Sequence, residues 1–262
     1  MEEARIASTW FDSKRIKELR IQSQAYSSKE DLWSWYVLRR ISIFVTLFCL
    51  KVKATPNAIS WLSAFFVMLS GFFVIQATPL GFIFAFLSYN LGYLLDCVDG
   101  EVARLTKNTS SKGYFIDLLI QGATLPVYLS ILFALLNMFG LIQLTFWTSI
   151  IIYFMICIII SALFVPIAYQ LTDLNSRVGD RVRDPVNKIR TKSIVFEVMG
   201  FILGLPGFFF IILLLTGLEI LFNVSVINTF IILYLAIMVL KVLARFVITV
   251  KSFEDRQSEV HE

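Results

Sequence analysis

Six long apolar stretches, near residues 57–76, 79–103, 113–138, 141–168, 193–217 and 224–250, constrain this 262-residue chain more than any other feature. Each is close to the ~20 residues that a helix needs to cross the hydrocarbon core of a bilayer. In that core no water satisfies backbone N–H and C=O groups, so such stretches fold as helices that close their own hydrogen bonds. With 58% hydrophobic residues, the length permits several spans but no second large soluble domain. The expected fold is all-α, a polytopic membrane protein with six transmembrane helices.

The basic residues orient these spans. Arg39, Arg40, Lys51 and Lys53 precede the first; Arg104, Lys107 and Lys112 flank the second connection. Arg177, Arg181, Arg183, Lys188, Arg190 and Lys192 fill the fourth connection, and Lys251 and Arg256 follow the last span. The alternate connections, near 77–80, 139–143 and 217–225, contain no Lys or Arg. The positive-inside rule therefore puts both termini and the acidic connection in the cytoplasm. The net charge of +4 belongs mainly to this face, where it favours anionic headgroups; nucleic-acid binding is not needed to explain it. The first convincing span begins too late for a signal peptide. Residues 1–34 read as a cytosolic amphipathic segment. The run WSWYVLRRISIFVTLFCL from Trp33 to Leu50 reads as an interfacial helix with Arg39 and Arg40 at the headgroups, an added span being the alternative. Three segments are expected: 1–52, the amino-terminal segment with its interfacial amphipathic helix; 53–251, the six-helix membrane domain; and 252–262, a short cytosolic tail.

The run DCVDGEVAR, followed by GYFIDLLIQ, places carboxylates inside apolar stretches, where an unpaired negative charge is expensive. Asp96 and Asp99 are three residues apart on one helical face, and Gly113, Asp117 and Gln121 recur at intervals of four on the next helix. Two facing helices can thus aim oxygen atoms at one centre, most simply a magnesium or manganese site. A buried network of aspartates with Arg104 is the structural alternative. Gly100 and Ala103 remove volume beside the carboxylates, which suits either a close helix contact or a planar ligand with a phosphate tail, and Gly92 leaves room one turn before Asp96. Arg104 can bind a phosphate oxygen, whereas Lys107 and Lys112 flank the mouth or anchor lipid. Lys241 and Arg245 in the last span face the cavity, pair with Glu197 or snorkel to the headgroups.

Other features read as platform. Cys49, Cys97 and Cys157 have neither zinc spacing nor a disulfide framework, and His261 lies in the tail. Phe208, Phe209 and Phe210 suit contact with lipid or neighbouring helices. Gly204 and Gly207 around Pro206 mark a kink in the fifth span, and residues 171–192 read as a cytosolic loop bordering the cavity.

The acidic run resembles the signature of the CDP-alcohol phosphotransferase family, DxxDGxxAR, a spacer of eight or nine residues, then GxxxDxxxD. This chain supplies Asp96, Asp99, Gly100, Ala103 and Arg104, then Gly113 and Asp117 at the same spacing. Thr55, Pro56 and Asn57 at the start of the first span resemble the family's TPN segment. The resemblance implies transfer of a substituted phosphate from a CDP-linked donor to an alcohol with release of CMP. It also implies a homodimer with two divalent cations, Mg2+ or Mn2+, in each cytosol-facing site. Asp96, Asp99 and Asp117 would hold the metals, Gly100 and Ala103 would leave space for cytidine, and Asn57 and Arg104 would help bind the CDP portion.

Gln121 departs from the pattern. It stands where the family has a fourth aspartate, which resembles a metal ligand and the general base for the attacking alcohol. A glutamine amide ligates through oxygen but is not an effective base at neutral pH. The resemblance is then compatible with transfer in which a substrate phosphate, a metal-bound hydroxide or a rearranged carboxylate takes the proton, or with a catalytically impaired homologue or inactivated variant that binds CDP-lipid. In family members with phosphorylated acceptors a basic residue commonly follows the fourth aspartate; here it is Gly122. CDP-diacylglycerol and an unphosphorylated polar alcohol are the expected substrates, presented by membrane phospholipid.

Overall fold

The structure, a computed structural model, describes residues 7–24, 32–108, 111–178, 198, 200–222 and 226–260, with only the helical backbone described for 176–178 and 250–260. The described residues are helical throughout apart from turns and short connections. A first helix, α1 (Lys14–Ser23), is followed by a π-helical turn (Ser34–Leu38) that runs into α2 (Arg39–Lys51). Then come α3 (Pro56–Ile75), α4 (Pro79–Thr106), α5 (Ser111–Gly122), α6 (Thr124–Met138), α7 (Phe146–Val178), α8 (Leu205–Phe222) and α9 (Ile227–Val260).

Among the described residues, six helical segments are long and apolar enough to cross a membrane: Pro56–Ile75, Pro79–Thr106, Ser111–Met138, Phe146–Asn175, Leu205–Phe222 and Ile227–Thr249. Local chemistry sets their starts. The Thr55 hydroxyl accepts from the Ala58 amide with Pro56 at the first helical position, and Thr78 does the same for Gly81 ahead of Pro79. The third span is two helices, α5 and α6, that meet at 122–123. Pro126 has no N–H to offer the Gly122 carbonyl four residues back, and its ring crowds that carbonyl.

The fourth and fifth spans differ from the sequence expectation. The fourth runs as α7 to Val178 through Pro166, so the first third of the stretch expected as a loop, 171–178, is helix. The rest of that loop, with Arg181, Arg183, Lys188, Arg190 and Lys192, lies outside the described residues, as do Glu197 and His261. The fifth span begins at Leu205, not near 193, and extends to Phe222. A turn at 203–204 precedes it, and Pro206 sits in the first turn of α8, where a missing N–H costs nothing, instead of kinking a helix interior. A Cβ on Gly207 would lie 2.3 Å from the Phe201 carbonyl oxygen, so this tight reversal needs glycine there.

The most extensive packing is between α3 and α4, flanked by α6 and α8. In lipid, apolar burial between helices gains little, and close backbone approach with interhelical hydrogen bonds takes over. A Cβ on Gly92 would lie 2.8 Å from Val67 Cγ2 and 2.9 Å from the Val67 amide, and the Ser63 hydroxyl donates to the Gly92 carbonyl at 2.8 Å. The room beside Gly92 is therefore taken by α3. Around this contact Val67, Phe82, Val127, Ile131, Phe208, Phe209 and Ile231 form the main core. Phe209 stacks on Tyr89 with centroids 4.5 Å apart, so these phenylalanines serve neighbouring helices. A smaller cluster of Cys49, Ile59, Leu95, Val98 and Val102 joins α2, α3 and α4 below the acidic residues.

The amino-terminal helices lie against α4. Helix α2 turns Ser42, Ile43, Thr46 and Cys49 inward and leaves Ile41, Phe44 and Phe48 exposed, as expected of an interfacial helix. Arg40 is exposed, but Arg39 is not a headgroup anchor: it is half-buried and ion-paired to Glu101 at 3.1 Å.

Candidate active site

Where α3 begins, α4 ends and α5 begins, a cavity of about 440 Å3 opens, within the size range of small-molecule sites. Its wall carries Asp96, Asp99, Gly100, Ala103 and Arg104 from α4, Gly113, Tyr114 and Asp117 from α5, Pro56, Asn57 and Ser60 from α3, and Arg39 from α2. The Thr55 cap sets the first turn of α3, which brings Asn57 and Ser60 to the wall. Lys107 ends α4 in the left-handed conformation, with φ 53°, and turns the chain toward α5. Helical spacing does the rest, since Asp96, Asp99, Gly100 and Ala103 share one face of α4 and Gly113 and Asp117 one face of α5.

Eight of the nine residues singled out from the sequence thus line one cavity. Gln121 is the exception. It lies one turn beyond Asp117, exposed, and its Nε2 donates to Asp117 Oδ2 at 3.3 Å. Asp99 accepts the Ser60 hydroxyl in a short hydrogen bond, while Ser60 is also within reach of the Pro56 carbonyl. Gly100 has a use that spacing alone did not reveal: a Cβ there would meet the Arg104 guanidinium at 3.2–3.3 Å. The glycine lets that cation lie over the helix backbone beside Asp99. Lys241 and Arg245 are absent from the cavity wall.

Sequence reasoning missed Ser60, Arg39 and Tyr114 on the wall, and Glu101 behind it. Glu101 is fully buried and accepts from Gln24 Nε2 at 2.9 Å, Arg39 Nη1 at 3.1 Å, Thr46 Oγ1 at 2.7 Å and the Ser42 hydroxyl. Its partners are 55 to 77 residues away in sequence, beyond the reach of any local pattern.

With Arg39 paired to Glu101, the cavity carries an excess of carboxylate, and its donors are oxygen atoms of the kind that hard divalent cations require. Among the described residues no three His, Cys, Asp or Glu side chains converge closely enough to grip an ion as they stand. Asp99 is turned to Ser60 and Asp117 to Gln121.

A family model described as CDP-alcohol phosphatidyltransferase matches residues 53–222. No curated protein and no solved structure matches the chain. The matched region is well over half of the chain and contains all six spans but the last, together with every aspartate of the cavity. The chain belongs to the CDP-alcohol phosphatidyltransferase family.

Proposed function

We propose that this protein transfers a phosphatidyl group from CDP-diacylglycerol to an unphosphorylated polar alcohol, releasing CMP, in a cavity that faces the cytoplasm. Family membership supports CDP-alcohol phosphotransferase chemistry in general. The observation that carries the finer reading is a single cavity, inside an apolar bundle, lined by Asp96, Asp99 and Asp117 together with Arg39 and Arg104.

The donor set fits magnesium or manganese, with Asp96, Asp99 and Asp117 as ligands and the Gln121 amide oxygen as a neutral fourth. Two cations, when bound, would neutralise the diphosphate and stabilise the departing CMP. Arg104 and Arg39 supply positive charge to phosphate oxygens beside the carboxylates. Asn57 offers an amide to the nucleotide, and Gly100, Ala103 and Gly113 keep side chains out of its path. The alcohol oxygen attacks the lipid-bearing phosphorus, that phosphorus's bond to the bridging oxygen breaks, and CMP leaves with the electron pair. Asp117 accepts the alcohol proton, since Gln121 cannot; the Gln121 amide then holds Asp117 from its Oδ2 side. Gly122 after Gln121 gives no cation for an acceptor phosphate. A homodimer, each protomer with its own cavity, completes the reading.

The contact between Gln121 and Asp117 favours a second reading, a member that binds CDP-lipid without efficient turnover. One experiment separates them: CMP release from CDP-diacylglycerol by the purified protein with manganese or magnesium, across free and phosphorylated alcohols. Acceptor-dependent CMP with a matching lipid product supports transfer. CDP-lipid binding with no CMP release supports the second reading, and strong preference for a phosphorylated alcohol overturns the acceptor assignment.

A further inference from the structure

Helix α1 is attached to the bundle in an unusual way. Its buried residues are Arg20 and Ser23, with Gln24 just beyond, whereas Trp10, Phe11 and Ile21 stay exposed. A peripheral helix usually docks by its apolar side. Here Arg20, fully buried, holds Asp12 at 2.8 Å and donates to the backbone carbonyls of Arg39 at 2.8 Å and Arg40 at 2.9 Å. Gln24 donates to the same Arg39 carbonyl at 2.8 Å and to Glu101 at 2.9 Å. Arg39, Ser42 and Thr46 form a polar stripe on α2 at i, i+3 and i+7, and all three donate to Glu101. One turn of α4 further on, Arg104 Nε donates to the Ser23 carbonyl at 2.6 Å.

Both guanidinium groups of the cavity are therefore tied to the amino-terminal segment: that of Arg39 through Glu101, which also accepts from Gln24, and that of Arg104 through the Ser23 carbonyl at the end of α1. Buried charge of this kind is a poor source of stability compared with apolar packing, and its recognised use is to fix one geometry. The geometry fixed here is the placement of the two cations of the cavity wall. Most of these residues precede the family-matched region, 53–222.

We propose that Glu101, Arg20 and Gln24 are positioning residues, which make the amino-terminal segment a working part of the cavity by setting Arg39 and Arg104 to receive the diphosphate of the CDP donor. This rests on the donor assignment above. It predicts that loosening the segment weakens donor binding without touching the carboxylates or the nucleotide-facing glycines.

The test is calorimetric titration of the full-length protein in lipid nanodiscs with CDP-diacylglycerol and manganese, comparing Glu101→Gln, Arg20→Lys and Gln24→Leu with the exposed control Lys17→Ala. Gln24→Leu nearly conserves volume and keeps the test alive if the charge changes prevent folding. The expected result is a Kd raised roughly tenfold in each positioning variant, the scale of one lost charge-assisted hydrogen bond, with binding stoichiometry unchanged and the control like the unmodified protein. A merely structural role would lower the stoichiometry and leave Kd alone. Unchanged Kd in the folded variants, while the unmodified protein binds, overturns the positioning role. Failure of the unmodified protein to bind CDP-diacylglycerol overturns the donor assignment, and this use of the arginines with it.

Discussion

At the scale of the residue, the proposed chemistry turns on Gln121. Its amide donates to Asp117 at 3.3 Å, a contact that a second carboxylate would turn into repulsion unless a cation lay between them. Gln121→Asp is accordingly expected to tighten manganese binding and raise CMP release, each by about tenfold or more, with the gain in release abolished by chelation. No gain in a folded, metal-bound variant would place the limiting step elsewhere than the proton acceptor. Gly92 makes the complementary case for packing. A methyl group there meets the Val67 backbone at 2.9 Å, so Gly92→Ala should cost about 1–3 kcal/mol and lower the thermal midpoint in detergent, with CDP-lipid affinity retained in the folded fraction. The acidic face of α4 was legible in the sequence because its residues repeat at helical spacing. Glu101, in the same nine-residue run, was not, because its meaning lies in Gln24, Arg39, Ser42 and Thr46 on other elements.

At the scale of the element, what was legible followed from local signals. The apolar stretches expected at 57–76 and 79–103 became α3 and α4, which begin at Pro56 and Pro79 behind the Thr55 and Thr78 caps. Pro206 misled, because a proline flanked by glycines reads equally as a kink or a start, and what decides for a start is the tight turn at 203–204, which leaves no room for a side chain at Gly207. Residues 14–23 were read only as part of an amphipathic segment, and the helix α1 docks there by Arg20 and Ser23, not by an apolar face. Its anchor makes a pH prediction. Burial pushes the Asp12 carboxyl up, but the Arg20 guanidinium and the Thr9 hydroxyl and amide, all bonded to the ionised form, outweigh it and hold Asp12 below its ordinary 3.8. The stabilisation is thus complete above that value and is lost as pH falls through the lower folded value. Amide exchange in residues 14–24 should quicken at neutral pH in Asp12→Asn, and in the unmodified protein only when pH drops below 3.8. Equal protection in Asp12→Asn would show that the other Arg20 bonds suffice.

At the scale of the whole molecule, the cavity is defined by one end of the bundle. The helix ends and connections that bear on it, from the end of α2 to α3 and from α4 to the start of α5, carry Lys51, Lys53, Lys107 and Lys112, whereas the connection between α6 and α7 carries no basic residue. Charge asymmetry of this kind biases insertion so that the basic ends remain in the cytoplasm, where a soluble alcohol and a CDP donor would meet the cavity. A single pair of sites tests whether the third span crosses and which way the molecule faces. Lys112 and Gln143 are exposed, and the third span separates them. Cys49 and Cys97 are buried and Cys157 lies within α7, so a membrane-impermeant maleimide reads the introduced thiols against a low background. In sealed right-side-out vesicles, Gln143→Cys should label from outside and Lys112→Cys only after permeabilisation. The reverse pattern would invert the molecule and move the cavity to the outer face. Labelling of both from one side would mean that Ser111–Met138, kinked at Pro126, fails to cross at all, and the six-span architecture would fall with it.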